Sequence, residues 1–163
     1  MATNDVGIRV GVEGEKQFRD SLKGINSQLK NLNTEMQAST REFEKNAGSQ
    51  EALNRKAEIL GKTIDVEKQK VELLTKQYEN QNKKLSALGE ELDKVSEEFG
   101  KNSEQAGKAQ NAYNRQATEV NKLGSQLNAA KGDLSRFEEE MQQTTIQSDK
   151  LVSGLKNASD RLG

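Results

Sequence analysis

The chain has 163 residues, of which 31% are hydrophobic and 31% are charged. This apolar content is well below the roughly 45–50% of an ordinary globular domain, so it must be concentrated on a narrow stripe rather than spread through a round core. The 25 basic and 26 acidic residues leave a net charge of −1, which gives no general attraction to nucleic acid or to an anionic membrane. Cysteine and histidine are absent, which removes disulfides, a thiol nucleophile, the commonest general base and the usual zinc ligands. We therefore expect a protein that is not an enzyme and binds no cofactor or metal.

The first predicted element is a β-like extended segment at residues 1–14. Val6, Ile8, Val10 and Val12 alternate with glycine and arginine, a period of two that is typical of a strand with one apolar face. A single strand is not stable in water, so it would have to pair with the sheet of a partner or with copies of itself. The alternative is a fraying chain terminus.

The amino-terminal residues also bear on localisation. They lack the basic and apolar regions of a signal peptide. No apolar run in the chain reaches the 18 or so residues of a membrane span. We therefore expect a soluble protein that is intracellular when it is synthesised.

From residue 15 to residue 163 the pattern predicts an α-helical coiled-coil rod, so the expected fold class is all-α. Apolar residues recur at alternating steps of four and three residues from Phe18 to Leu162, in one register that no proline interrupts. That spacing is typical of the seam of a coiled coil. The residues predicted to make interactions are large apolar side chains of the extended segment and the seam: Ile8, Val10, Val12, Phe18, Leu22, Ile25, Leu29, Leu32, Met36, Phe43, Leu60, Ile64, Leu74, Leu85, Leu92, Phe99, Leu123, Leu127, Leu134 and Phe137.

Two weak points interrupt the helical pattern near Gly48 and Gly100, at residues 46–49 and 100–103. Both contain residues that commonly end one helix and begin the next. Taken alone, they predict three helices that could fold back as an antiparallel bundle. The heptad phase nevertheless continues through both segments, which independent helices would achieve by chance about one time in seven at each junction. We therefore favour one long helix with two weak points, and the folded-back hairpin is the alternative.

The seam chemistry indicates self-association. Leucine dominates the a positions, and small residues, including Gly61, Gly89 and Gly124, stand at e positions where charged residues usually select a partner. Small residues there allow a helix to lie close to more than one neighbour, so we expect a homotrimer, with a dimer as the alternative. Nine seam positions are polar, and they either weaken a solvated rod or fix its register and helix number: Ser39, Asn46, Gln50, Glu67, Gln81, Asn102, Gln116, Thr144 and Ser148.

The amino-terminal residues resemble a known protein family. Residues 8–18 read Ile-Arg-Val-Gly-Val-Glu-Gly-Glu-Lys-Gln-Phe, and the helical pattern that follows carries Ile25-Asn26, Leu29-Lys30 and Glu35-Met36. This arrangement is similar to the start of tail tape measure proteins of long-tailed bacteriophages and prophages, which begin with a short β-like segment ending in Glu-Gly-Glu, then a phenylalanine and a helix. The resemblance is specific mainly in residues 8–36. Tape measure proteins are much longer, so the resemblance implies an amino-terminal region, and none of the family's downstream activities carries over.

The resemblance implies a structural role as a length ruler and assembly scaffold inside the tail tube. The implied location is the virion tail, after assembly in the host cytoplasm, and the implied partners are tail-tube, tail-tip or assembly chaperone proteins. A continuous helix from Phe18 to Leu162 would span about 220 Å, so its length would scale with the number of residues. The alternatives are a cellular coiled-coil scaffold or tether, and a compact antiparallel helical bundle that binds a partner and brings Leu74 close to Leu127.

Overall fold

The computed structural model describes residues 2–45 and 49–162, with side chains from residue 14 onwards. Within these residues the chain forms three helices and no strand: α1 (Ala2–Lys45), α2 (Gln50–Phe99) and α3 (Glu104–Leu162). The prediction of an all-α fold is confirmed.

The extended segment predicted at residues 1–14 is not confirmed. α1 begins at Ala2, and the described residues contain no strand with which an extended segment could pair. An isolated strand leaves its backbone groups without partners, whereas a helix satisfies them locally. The side chains of Ile8, Val10 and Val12 lie outside the described residues.

The favoured prediction of one continuous helix is not confirmed, because α2 ends at Phe99, directly before the second predicted weak point. Gly100 has a φ of +92°, a left-handed conformation that glycine adopts without steric cost, and its N–H donates to the Ser96 carbonyl at 2.9 Å. The Ser103 hydroxyl then accepts a hydrogen bond from the Ala106 N–H at 3.1 Å and caps the start of α3. The capping chemistry of this glycine and serine therefore outweighs the continuity of the heptads.

The first junction also lies at a predicted weak point. α1 ends at Lys45, and residues 46–48, which include Asn46 and Gly48, lie outside the described residues. Ser49 caps α2: its hydroxyl accepts a hydrogen bond from the Ala52 N–H at 3.3 Å, and its carbonyl accepts one from the Leu53 N–H at 3.2 Å.

The helices form two compact units. Unit 2 consists of Val71–Ala130, in which the second part of α2 and the first part of α3 pack antiparallel as a hairpin. Unit 1 consists of α1, α2 up to Lys70 and α3 from Lys131. In unit 1, α2 lies antiparallel to α3, where Gln50 bonds to Ser148, and beside α1, where Arg55 pairs with Glu42 at 2.8 Å.

The buried residues follow the predicted seam. Fifteen of the residues whose side chains are described are buried, and all but Ile59 and Thr63 belong to the single register from Phe18 to Leu162. These two lie on α2 in unit 1, where α2 contacts both α1 and α3 and therefore needs a second buried stripe. Part of the apolar seam is thus covered within one chain, while Phe99, Leu155 and Leu162 of the same seam stay exposed.

Candidate functional site

Two tyrosine–glycine contacts join α2 to α3 in unit 2. The ring of Tyr78 on α2 lies over Gly124 on α3, with its Cε2 3.3 Å from the position that a Cβ would occupy. The ring of Tyr113 on α3 lies over Gly89 on α2, with Cε2 at 3.4 Å from the corresponding position. These are the two tyrosines of the chain. Each glycine leaves room for a large ring, so the two helices fit together at two defined places.

A glutamine pair lies between these two contacts. Gln116 Nε2 donates to Gln81 Oε1 at 2.7 Å and to the Gln81 carbonyl oxygen at 2.9 Å. Gln116 is buried, and leaving its amide without a partner would cost about 1–3 kcal/mol. A shift of one helix along the other would separate these amides, so the pair favours a single register of the hairpin.

Polar seam residues also meet other polar groups in unit 1. Gln50 Nε2 donates to Ser148 Oγ at 2.6 Å across the α2–α3 contact. Thr144 is buried, and its hydroxyl donates to the Glu140 carbonyl of its own helix at 2.8 Å. These bonds satisfy the Gln50 amide N–H and the Thr144 hydroxyl, whereas Gln50 Oε1 is buried without a hydrogen-bond partner among the described residues.

Glu67 is the charged residue of the seam, and it is buried in unit 1 with 1% of its surface exposed. It lines a cavity of about 480 Å³ between the three helices, together with Lys70, Asp133 and Arg136. Its Oε1 has no hydrogen-bond partner among the residues whose side chains are described. Burial raises the pKa of Glu67, while Lys70 lowers it, Asp133 raises it and Arg136 lowers it by smaller amounts. The folded chain therefore holds this proton up to a higher pH than the unfolded chain does.

The predicted interaction residues fall into three groups by exposure. Leu32, Leu60, Leu74, Leu123 and Leu127 are buried in the packing within the chain. Phe99, at the end of α2, is 51% exposed. That any of these residues binds another chain stays a prediction. The remaining residues with described side chains are half-buried: Phe18, Leu22, Ile25, Leu29, Met36, Phe43, Ile64, Leu85, Leu92, Leu134 and Phe137.

The heptad pattern places the residues that join α2 to α3 on or beside the seam but does not pair them with one another, although the sequence contains a signal for the pairing. The pattern Tyr-x2-Gln-x6-Leu-Gly occurs at residues 78–89 and again at residues 113–124, a shift of 35 residues or five heptads. Its two copies supply both tyrosines, both glutamines and both glycines of the unit 2 interface. A search for repeats with a whole number of heptads could have found it.

Membrane spans and metal-binding clusters are two further features that can be examined in the described residues. In residues 2–45 and 49–162, no helix has the length and apolarity to cross a membrane. The same part of the chain holds no group of three or more histidine, cysteine, aspartate or glutamate side chains placed to bind a metal ion. Comparison with protein-family models, curated proteins and solved structures finds no match. The function must therefore be inferred from the residues of the chain itself.

Proposed function

We propose that this chain is a structural protein, the amino-terminal region of a phage tail tape measure protein. In this proposal it lies in the lumen of the tail tube, contacts tail-tube, tail-tip or assembly chaperone proteins, and acts as a length ruler and assembly scaffold. The observation that carries the proposal is the single heptad register shared by three separate helices.

A folded-back bundle does not require its three helices to share one heptad register. A bundle requires an apolar stripe on each helix, but it does not require the stripes to keep a common phase across the turns between them. A continuous coiled coil does require it, or it must contain a stutter. Thirteen of the fifteen buried residues with described side chains nevertheless belong to one series that is counted through both junctions. The common phase supports a protein that is straight in its working state.

The amino-terminal residues give the second line of support. The run Glu13-Gly14-Glu15, followed by Phe18 and the helical pattern up to Met36, resembles the start of tape measure proteins. In this proposal the hairpin is the form of the free chain, and the straight rod is the form inside the tube. A ruler of this kind needs no active site, only a length proportional to its number of residues.

Residues 149–162 allow a direct test, because they follow the Gln50–Ser148 contact and their large apolar side chains Leu155 and Leu162 are 60% and 90% exposed. Deleting these fourteen residues, two heptads, from the full-length protein leaves the buried residues of both units in place. The straight rod becomes about 20 Å shorter. We expect the phage tails to shorten by the same length, measured by electron microscopy of negatively stained particles.

The matched control replaces residues 149–162 by two heptads of unrelated sequence with leucine at the seam positions. These tails should keep their original length, because the number of helical residues is unchanged. Tails that keep their length after the deletion would contradict the ruler function, and a gene neighbourhood without tail genes would count against the family.

A compact helical module that binds a partner is the second candidate, and the antiparallel Tyr78–Gly124 and Tyr113–Gly89 contacts favour it. Such a module would work in the folded form. Fusing α2 to α3 as one uninterrupted helix would then abolish binding to its partner, whereas a tape measure would tolerate the same change.

A further inference from the structure

The unit 2 interface has internal two-fold symmetry. Its two tyrosine–glycine contacts are the same contact with α2 and α3 exchanged, and the Gln81–Gln116 pair lies between them. In each contact the tyrosine and the glycine are equally far from Lys101 along the sequence, on opposite sides of it. Both contacts therefore belong to one antiparallel register that is centred on Lys101 in the turn. α2 and α3 therefore present equivalent surfaces, each of which is complementary to the other.

The turn that joins these surfaces is short. It depends on Gly100, the residue with positive φ in the described part of the chain, and it leaves Phe99 half exposed although Phe99 lies on the seam. If residues 100–103 become helical, the seam continues in phase from Phe99 through Asn102 to Ala106. A straight helix then presents the α2 surface and the α3 surface along one stripe.

We propose that the α2–α3 surface of unit 2 also pairs between two copies of this chain, with α2 of one copy on α3 of the other. In this dimer the two helices run antiparallel, the register is that of the hairpin, and Lys101 lies at the centre. Phe99, which is exposed in the hairpin, falls beside the centre and is covered by the helix of the second copy. The symmetry of the contacts and the exposed phenylalanine both identify a second copy as the partner, independently of the proposed tail function.

Disulfide trapping tests the pairing, because the chain has no cysteine of its own. Gln81→Cys and Gln116→Cys are placed in separate full-length chains, one of which carries a size tag, and the two are mixed and oxidised. The exchanged dimer links residue 81 of one chain to residue 116 of the other. A closed hairpin gives no such link, since each chain carries one thiol, and a parallel rod in register links residue 81 to residue 81.

The control mixes Gln81→Cys with Asn114→Cys, whose side chain is exposed. This pair should give only the background of chance collisions. A yield of the 81–116 heterodimer well above this background supports the proposal. A yield at background, or a predominance of 81–81 links, overturns it.

A second variant changes the balance between the hairpin and the dimer. Gly100→Ala disfavours the left-handed turn and favours a helix, which should shift the equilibrium between turn and helix about tenfold in each chain. Because two turns must straighten to form one dimer, the dissociation constant of the dimer should fall about 100-fold. Gly132→Ala is the control, because Gly132 is helical and no other described side chain lies within 4 Å of an added Cβ. This change should therefore not alter the dissociation constant. Sedimentation equilibrium measures both. A Gly100→Ala chain that remains monomeric at the highest concentration reached overturns the proposal.

Discussion

Replacing Leu74 with alanine is expected to lower the free energy of unfolding by about 3 kcal/mol. Leu74 lies on α2 in unit 2 and has 0% of its surface exposed. Truncation removes apolar surface that α3 keeps from water and leaves a cavity that the hairpin can fill only in part. Urea denaturation followed by circular dichroism measures the loss.

Leu155→Ala is the matched control, because Leu155 occupies the same seam and is 60% exposed. This substitution should change the free energy of unfolding by less than about 0.5 kcal/mol. A rod paired with parallel copies along its whole length would bury both leucines, so both substitutions would then be costly. Equal losses for Leu74→Ala and Leu155→Ala would contradict the hairpin.

Replacing Glu67 with glutamine is expected to raise the free energy of unfolding at pH 7 by about 2 kcal/mol. The carboxyl is buried and no described residue bonds to its Oε1, so its charged form is costly in the folded chain. Glutamine keeps the shape of the side chain and removes the charge. The exposed Glu138 provides the control, since Glu138→Gln should leave the stability nearly unchanged.

The same residue makes stability depend on pH. The pKa of Glu67 is higher in the folded chain than in the unfolded chain, so the folded chain binds the extra proton between the two values. The free energy of unfolding therefore falls as the pH rises from about 4.5, the ordinary pKa of glutamate, to the raised pKa of the folded chain. At higher pH this residue causes no further change in the free energy of unfolding. The charged groups that line the same cavity are Lys30 of α1, Lys70 of α2, and Asp133, Arg136 and Glu140 of α3.

Glu67→Gln should remove this part of the pH dependence, measured by urea denaturation between pH 4 and pH 8. Glu138→Gln should retain it. A pH profile of Glu67→Gln that matches the profile of the unsubstituted chain would show that this carboxyl is solvated.

The helical class and the buried stripe could be predicted from the sequence, because the spacing of apolar residues decides which face of a helix avoids water. The helix against which that stripe packs could not be predicted. A heptad pattern is satisfied equally by another chain and by a second helix of the same chain. Gly100 permits either a straight helix or a turn, and the packing of α2 against α3 away from the glycine selects between them.

The roles of Gly61, Gly89 and Gly124 could be predicted only in part. Their e positions suggested a close approach of several helices, and this was the reason for expecting a trimer. In the structure each one faces a large side chain of the antiparallel helix: Met141, Tyr113 and Tyr78 respectively. Because close approach to one neighbour explains these glycines, they no longer favour three copies over two.

The cavity around Glu67 was beyond the reach of the heptad pattern. It is lined by residues of three helices that are far apart in the sequence, from Asn26 to Glu140. A repeat search could have found the tyrosine–glycine contacts, but no local signal places α1 against α2 and α3.

In unit 2 the seam of α2 and α3 closes within one chain as an antiparallel hairpin. Spin labels on cysteines at the exposed residues Lys76 and Gln126, with the labelled chain diluted into unlabelled chain, report the distance within a single molecule by pulsed electron paramagnetic resonance. Packed helices have axes about 8–10 Å apart, so the hairpin predicts a label distance below about 25 Å. A continuous helix would separate the labels by about 75 Å, and that distance as the main population in dilute solution would contradict the hairpin.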